Sequence, residues 1–363
     1  MTEFTHKQDR IHQVLDEHRL DALLLQRVSS FAWATCGVAS YVNTAATHGE
    51  AMLLVTRSGR YLITNNIEAT RLEQEEGLKA QGWEFHVGPW HEAQETVARL
   101  TGDLRLGADG PFPGATDLAG SLARLRADLT PEEGERFRAL GRLCADAMQA
   151  AVRAVRPGQT EYQIAGLLAG EAESRGVQAI VNLVAADERV FAFRHPLPTG
   201  KQLKHYSMLV LCGRRWGLVC SITRFVHFGP LPDELRRQAE AVAHVDATFI
   251  AATRPGQTLG IIFERAMVAY AETGFPGEWQ LHHQGGPAGY EPREYVATPD
   301  SADTVSVGQV YAWNPSITGT KSEDTILVGR QGNQVLTTMK DWPVLPATVG
   351  DQEIARPAIL EIL

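Results

Sequence analysis

Apolar residues at the start of the chain recur at helical spacing. Ile11, Val14, Leu15 and Leu20 share one face, and the run Ala22-Leu23-Leu24-Leu25 that follows reads as a strand. Ala51 to Thr56 and Arg60 to Thr64 read as two further strands, joined tightly by Arg57-Ser58-Gly59. A helical stretch is expected from Glu68 to Glu76 and a strand around Trp83 to Val87, which together predict a mixed sheet covered by helices. Gly, Pro and Asp crowd the stretch from Gly102 to Asp117, which reads as loop or boundary. A helix then starts at Thr130-Pro131-Glu132-Glu133, with a capping threonine, a proline at the first helical position and a glutamate that completes a capping box. Phe137, Leu140, Leu143, Cys144, Met148, Ala151, Val152 and Val155 hold one face of that long helix. These patterns place a domain boundary near residue 128 and predict two domains, 1–128 and 129–363.

The second domain contains an internal repeat. Arg156-Pro157-Gly158-Gln159-Thr160 returns 98 residues later as Arg254-Pro255-Gly256-Gln257-Thr258. Each copy follows an Ala-rich amphipathic helix and precedes a second helix that ends near a glycine, Gly176 or Gly274. Pro-Gly stops the first helix, and Thr160 or Thr258 can cap the next. The repeat continues into strand-like runs: Met208 to Cys212 and Gly217 to Thr223 correspond to Val310 to Asn314 and Thr325 to Val328. Cys212 and Ser221 lie nine positions apart, as do Asn314 and Glu323, and the two pairs are offset by 102 positions. In a two-fold duplicated domain such pairs face each other across a central cleft.

Composition narrows the partners. The 363 residues carry a formal net charge of -9, the opposite of the basic signature of a nucleic-acid binder. Four scattered cysteines, Cys36, Cys144, Cys212 and Cys220, make neither a disulfide scaffold nor a zinc knuckle and read as reduced thiols. Six lysines stand against 28 arginines, which reads as a compositional bias. The first residues lack the apolar core of a signal peptide, and no apolar run approaches the ~20 residues of a membrane helix. The expectation is a cytoplasmic protein with no nucleic-acid or membrane partner.

Four motif regions of the duplicated domain resemble the creatinase/prolidase family, whose members include Xaa-Pro dipeptidases and aminopeptidases. His195-Pro196-Leu197-Pro198-Thr199 is similar to the family's His-x-x-Pro-Thr loop, and Leu209 to Arg224 to a hairpin that ends Asp-x-Thr-Arg. His282-His283-Gln284-Gly285-Gly286 resembles the His-x-x-Gly-His segment. Trp313-Asn314-Pro315 and Ser322-Glu323-Asp324-Thr325 resemble two glutamate segments. Leu20 to Leu25 and Tyr61 to Thr64 match strands of that family's N-terminal domain. The resemblance implies an α/β (α+β) chain: a creatinase-type N-terminal domain with a mixed sheet, then a pita-bread domain with internal pseudo-two-fold duplication. It also implies a homodimer.

Departures from the family pattern fall on its metal ligands. Peptidases of this family hold two divalent ions with Asp, Asp, His, Glu and Glu; here those places carry Cys212 (or Val210 in an ungapped alignment), Ser221, Gly286, Asn314 and Glu323. A later family histidine appears as Arg293, with Glu294 beside it. A hard divalent pair needs several carboxylates to supply oxygen ligands and offset four positive charges. Cys212 with a nearby histidine could hold one soft ion, but closed zinc sites use more N or S ligands. No metal and no other cofactor are expected on this pattern.

Each candidate has a plainer alternative. His195 faces the substrate in the family pattern, or simply orders its proline-rich loop. Of the adjacent His282 and His283, one should face the cleft and the other the packing, with His282 aligned to the substrate-side position. Glu323 is a functional carboxylate or one half of a structural ion pair with Arg224. Cys212 beside a histidine and Asn314 has the residue types of a cysteine nucleophile, whereas a thiol on a buried strand is ordinarily inert. Gly285, Gly286, Pro287 and Gly289 read as a turn able to offer N–H groups, except at Pro287, to an anion or required by sheet geometry. Trp216, Trp279 and Trp313 line an apolar pocket or pack in the core.

The catalytic set expected from this pattern is His195, His282, Glu323 and Arg293, with His283, Asn314, Cys212, Ser221 and Glu294 binding substrate. The implied activity is a metal-independent hydrolysis of C–N bonds, amide or guanidino, in a small-molecule or short-peptide ligand. A non-catalytic ligand-binding protein is the second reading, and a weak Xaa-Pro peptidase with an unusual metal site the third.

Overall fold

The computed structural model describes residues 2–91, 93–102 and 104–363. The chain forms two compact units, Met1–Arg126 and Ala127–Leu363. In the first, the elements run α1 Glu3–Glu17, β1 Ala22–Arg27, α2 Val28–Ala34, β2 His48–Thr56, β3 Arg60–Asn65, α3 Ala69–Gln74, β4 Glu84–Gly88, α4 Ala93–Thr101, β5 Leu106–Ala108, β6 Ala115–Asp117 and α5 Ala119–Ala127. They build one six-stranded sheet in the order β4-β3-β2-β1-β5-β6. β2 is antiparallel to both β1 and β3, while β4, β5 and β6 join in parallel. The stretch read as loop thus contains two strands. At three residues each they are too short to carry an alternating pattern. Gly107 also packs so closely that a Cβ would sit 2.6 Å from Leu20 Cδ1, so this strand has no side chain where a pattern would register.

The second unit begins with α6 Pro131–Ala154, α7 Glu161–Glu173, β7 Gln178–Ala186, α8 Glu188–Ala192, β8 Tyr206–Arg215 and β9 Leu218–Phe228. It continues with α9 Asp233–Ala252, α10 Leu259–Glu272, β10 Gly285–Ala288, β11 Val310–Trp313, β12 Ser316–Ile317, β13 Thr320–Lys321, β14 Asp324–Val328, β15 Asn333–Val335, β16 Val344–Val349, β17 Gln352–Pro357 and β18 Leu360–Ile362. The capping box at the start of α6 forms in full, with Thr130 N–H donating to Glu133 Oε2 at 2.6 Å and Glu133 N–H to Thr130 Oγ1 at 3.3 Å.

The sequence repeat is a structural repeat. Strands β7-β8-β9, extended by β18, form one sheet, and β10-β11-β14-β15 form the other. Behind them lie two helix pairs of the same order, α6–α7 and α9–α10. Both Pro-Gly turns are held alike. Gly158 N–H donates to Leu203 O at 2.8 Å and Leu203 N–H to Gln159 O at 2.9 Å; Gly256 N–H donates to Val305 O at 2.9 Å and Val305 N–H to Gln257 O at 2.9 Å. Gly158 and Gly256 adopt φ of 89° and 88°, a conformation that favours glycine and explains its place in both copies.

Strand register brings the two nine-residue pairs together. Cys212 pairs with Ser221 between β8 and β9. Trp313 pairs with Asp324 between β11 and β14, and the next step of that register sets Asn314 opposite Glu323. The two hairpins abut where Thr223 N–H donates to Glu323 O at 3.2 Å and Thr325 Oγ1 donates to Ser221 O at 2.9 Å. Gly285 to Ala288 are a strand rather than a turn, paired with β11. Of the tryptophans, Trp313 is core: it stacks on Phe249 with ring centroids 4.5 Å apart and donates its indole N–H to Thr253.

Candidate functional site

Glu323 is buried at the meeting point of the hairpins, with its side chain 3% exposed. Its Oε1 accepts from Arg293 Nη2 at 3.0 Å, and its Oε2 meets Lys321 Nζ at 2.9 Å and the Thr223 hydroxyl at 2.5 Å. Burial alone would raise the carboxyl pKa, but Lys321, Arg293 and these hydrogen bonds together hold it well below the usual carboxylate range. Arg293 reaches across the strands as well: its Nη1 donates to Ser221 Oγ at 3.1 Å, and Ser221 Oγ lies 3.3 Å from Cys212 Sγ. The result is one continuous chain of contacts, Lys321–Glu323–Arg293–Ser221–Cys212. Burial pushes the Cys212 thiol up to about 11, with the Glu323 charge adding to the effect, so it is protonated at neutral pH.

Arg224 does not pair with the Glu323 carboxylate. Its Nη2 donates to Asp324 Oδ1 at 2.8 Å, and Arg356 bridges Asp324 to Asp246, so these four charges form a separate buried network. Alternation along the strand explains the choice: Glu323 and Asp324 point to opposite faces, one toward the cleft and the other toward the helices.

Three imidazoles gather beside this cluster. His282 Nε2 and His195 Nε2 lie 3.0 Å apart, and His282 Nδ1 is 3.4 Å from Ser316 Oγ. His283 joins them, with its ring centroid 4.5 Å from that of His282 and 5.7 Å from that of His195. His195 belongs to the loop after α8, while His282 and His283 follow the short 3-10 turn Glu278–Leu281. An ion pair ties these two segments together: Arg194 Nη2 meets Glu278 Oε2 at 2.5 Å, and Thr318 N–H donates to the same oxygen at 2.9 Å. Gln284 fixes the backbone here by donating to His282 O while accepting from Tyr270 Oη. Burial, then Lys321 and the neighbouring imidazoles, lowers His282 to about 2. Burial and Arg293 lower His283 to about 4, and burial with Lys321 lowers His195. All three rings are neutral at pH 7.

The remaining expected residues fall in three places. Asn314 is buried with no hydrogen-bond partner at its Oδ1. Gly286 pairs with Ala312 and packs so that a Cβ would lie 2.4 Å from Tyr295 O. Glu294 accepts the Tyr290 backbone N–H at 2.7 Å, which shapes the loop that presents Arg293.

Sequence models place this arrangement. The model of metallopeptidase family M24 matches residues 135–330, and the creatinase/prolidase N-terminal domain model matches residues 7–116. The chain belongs to metallopeptidase family M24. This M24 chain is 25% identical to the Xaa-Pro dipeptidase of Lactobacillus helveticus over 287 residues, 71% of its own length and 77% of the relative's. Against an uncharacterized peptidase of Staphylococcus saprophyticus it is 26% identical over 234 residues, spanning 65% of that protein, a little under two thirds. With the agropine synthesis cyclase of Rhizobium rhizogenes it shares 29% over 168 residues, 43% of its own length and 42% of the relative's. The fold is the prolidase-like pita-bread: the prolidase from Pyrococcus horikoshii OT3 superposes with a TM-score of 0.79 at 17% identity, covering 92% of this chain and 99% of that one.

Within this M24 chain the sequence pattern missed Lys321, Arg194 and Glu278. Lys321 left two signals. It is one of only six lysines, and it precedes Glu323 by two residues, the spacing that sets strand side chains on one face. Arg194 and Glu278 left none, since 84 residues separate them and only the fold joins them.

Proposed function

We propose that this M24 chain hydrolyses the C–N bond of a small, carboxylate-bearing amide by imidazole acid–base chemistry, without the family's two-metal centre. The observation that carries this reading is the occupation of Glu323 by Lys321 and Arg293. The sole carboxylate left at the family's ligand positions is already neutralised by two side-chain cations, and Cys212, Ser221 and Asn314 beside it are neutral. Such a donor set does not fit a pair of hard divalent ions, which require several free carboxylates.

The three charged groups leave one net positive charge facing the imidazoles. That favours an anionic ligand over a guanidino cation, so the amide alternative is preferred to the guanidino one. A neutral His195, the more exposed of the 3.0 Å pair, takes a proton from water as the water oxygen bonds to the amide carbonyl carbon. The same proton passes to the departing nitrogen as the C–N bond breaks. His282 orients His195 through their shared contact, and the surplus positive charge of Arg293 and Lys321 attracts the ligand carboxylate. The name of the Rhizobium relative, a synthesis cyclase, supports a scaffold that is not confined to peptide hydrolysis. Dipeptides and N-acyl amino acids presented to chelator-dialysed protein should turn over at a rate that added chelator leaves unchanged and His195→Ala abolishes. Turnover only after addition of a divalent ion refutes this chemistry.

The placement of His282, buried between His195 Nε2 and Ser316 Oγ, favours a second reading. An imidazole with both nitrogens so engaged serves as a hydrogen-bonding group, and the site then binds its ligand without turning it over. Saturable binding of an N-acyl amino acid with no product over many hours selects this reading.

A further inference from the structure

We propose that His195, His282 and His283 form a binding site for one divalent ion of the zinc class, distinct from the family's dinuclear position. One nitrogen from each ring lies within 4.8 Å of the others, and two of them, His195 Nε2 and His282 Nε2, are already 3.0 Å apart. Three nitrogens bound tetrahedrally at ~2.0–2.1 Å from zinc lie about 3.4 Å from one another. Small rotations of His195 and His283, the two exposed members, close the remaining gap, while His282 is buried. His282 Nδ1 faces Ser316 Oγ, which leaves Nε2 for the ion and supplies the outer contact that orients such ligands. The Arg194–Glu278 pair holds the two ligand-bearing segments against each other.

Ligand chemistry selects the ion. Three neutral nitrogens suit zinc, nickel or copper and give magnesium, calcium or manganese nothing they prefer. Lys321 and Arg293 face the cluster, tied to the single carboxylate Glu323. That surplus positive charge penalises a cation held by neutral ligands alone and calls for an anion in the open fourth position, hydroxide or a ligand carboxylate.

Zinc titrated calorimetrically into chelator-dialysed protein should bind one ion per chain, with magnesium giving no saturable heat. His195→Ala, His282→Ala and His283→Ala should each weaken zinc by more than about 100-fold, and Ser316→Ala by about 10-fold. Cys212→Ala, a change of an uncharged side chain at one of the family's ligand positions, should leave zinc binding in place. Cobalt in place of zinc gives a second readout, visible d–d absorption without a thiolate charge-transfer band. Absence of saturable zinc binding, its survival in the three histidine variants, or its loss in Cys212→Ala overturns the site. Activity separates this site from the hydrolytic reading. Under that reading bound zinc inhibits, because it occupies the imidazoles; a requirement for zinc refutes the metal-free chemistry and leaves the site standing.

Discussion

Lys321 and Glu323, two residues apart in the chain, meet at 2.9 Å with side chains only 5% and 3% exposed. A lysine at that depth is tolerated only when its charge is answered, and a carboxylate at that depth is tolerated on the same terms.

Removing the carboxylate is costlier than removing one of its cations. Glu323→Leu strips both Lys321 and Arg293 of their partner and should cost about 3–5 kcal/mol of stability in urea unfolding, whereas Lys321→Met leaves the Glu323–Arg293 pair in place and should cost clearly less. Equal losses in the two variants would show that Glu323 does not answer both charges.

Acid should unfold the protein earlier than an average chain of its size. His282 and His283 titrate at about 2 and about 4 in the fold, against 6.5 for an unperturbed imidazole. Between those limits the unfolded chain binds more protons than the folded one. Stability is therefore fully present above about pH 6.5 and declines as pH falls toward the folded values. Glu323, whose pKa is depressed, adds a loss of the same sign at more acidic pH. Replacing both histidines with glutamine should flatten the slope measured between about pH 5 and about pH 7.

Thiol chemistry should bypass the cleft. Cys212 is buried and pushed up to about 11, Cys144 is raised by its contact with Cys220 and by burial, and Cys36 alone is partly accessible. Brief alkylation of native protein at pH 8 should label Cys36, as read by peptide mass spectrometry, and Cys212→Ala should keep any activity. Fast labelling of Cys212 would revive it as a nucleophile.

Restoring the family histidine at Gly286 should fail. Any Cβ there meets the Tyr295 backbone oxygen at 2.4 Å and the Ala297 nitrogen at 3.1 Å, and backbone cannot swing aside as a flexible side chain can. Gly286→Ala should lower stability by about 1–3 kcal/mol and Gly286→His by more, as measured by thermal unfolding.

Much of this was legible in the sequence because it is local or periodic. The Arg-Pro-Gly-Gln-Thr repeat predicted both capped turns, and the shared nine-residue spacing predicted that the Cys212–Ser221 and Asn314–Glu323 pairs would come together. Non-local pairing escaped. Arg224 fitted Glu323 on paper, yet strand alternation turns Asp324 toward it instead. The loop-like stretch Gly102–Asp117 hid two strands whose three residues give no period to read. Lys321 went unweighed because a lysine in sequence announces a surface, and only the burial around β13 and β14 converts it into an internal charge.

The cation that balances Glu323 is encoded two codons upstream of it. Its supply therefore follows synthesis of the polypeptide itself: the carboxylate is answered when the chain folds, needs no loading step, and stays answered whatever the concentration of ions in the surrounding solution.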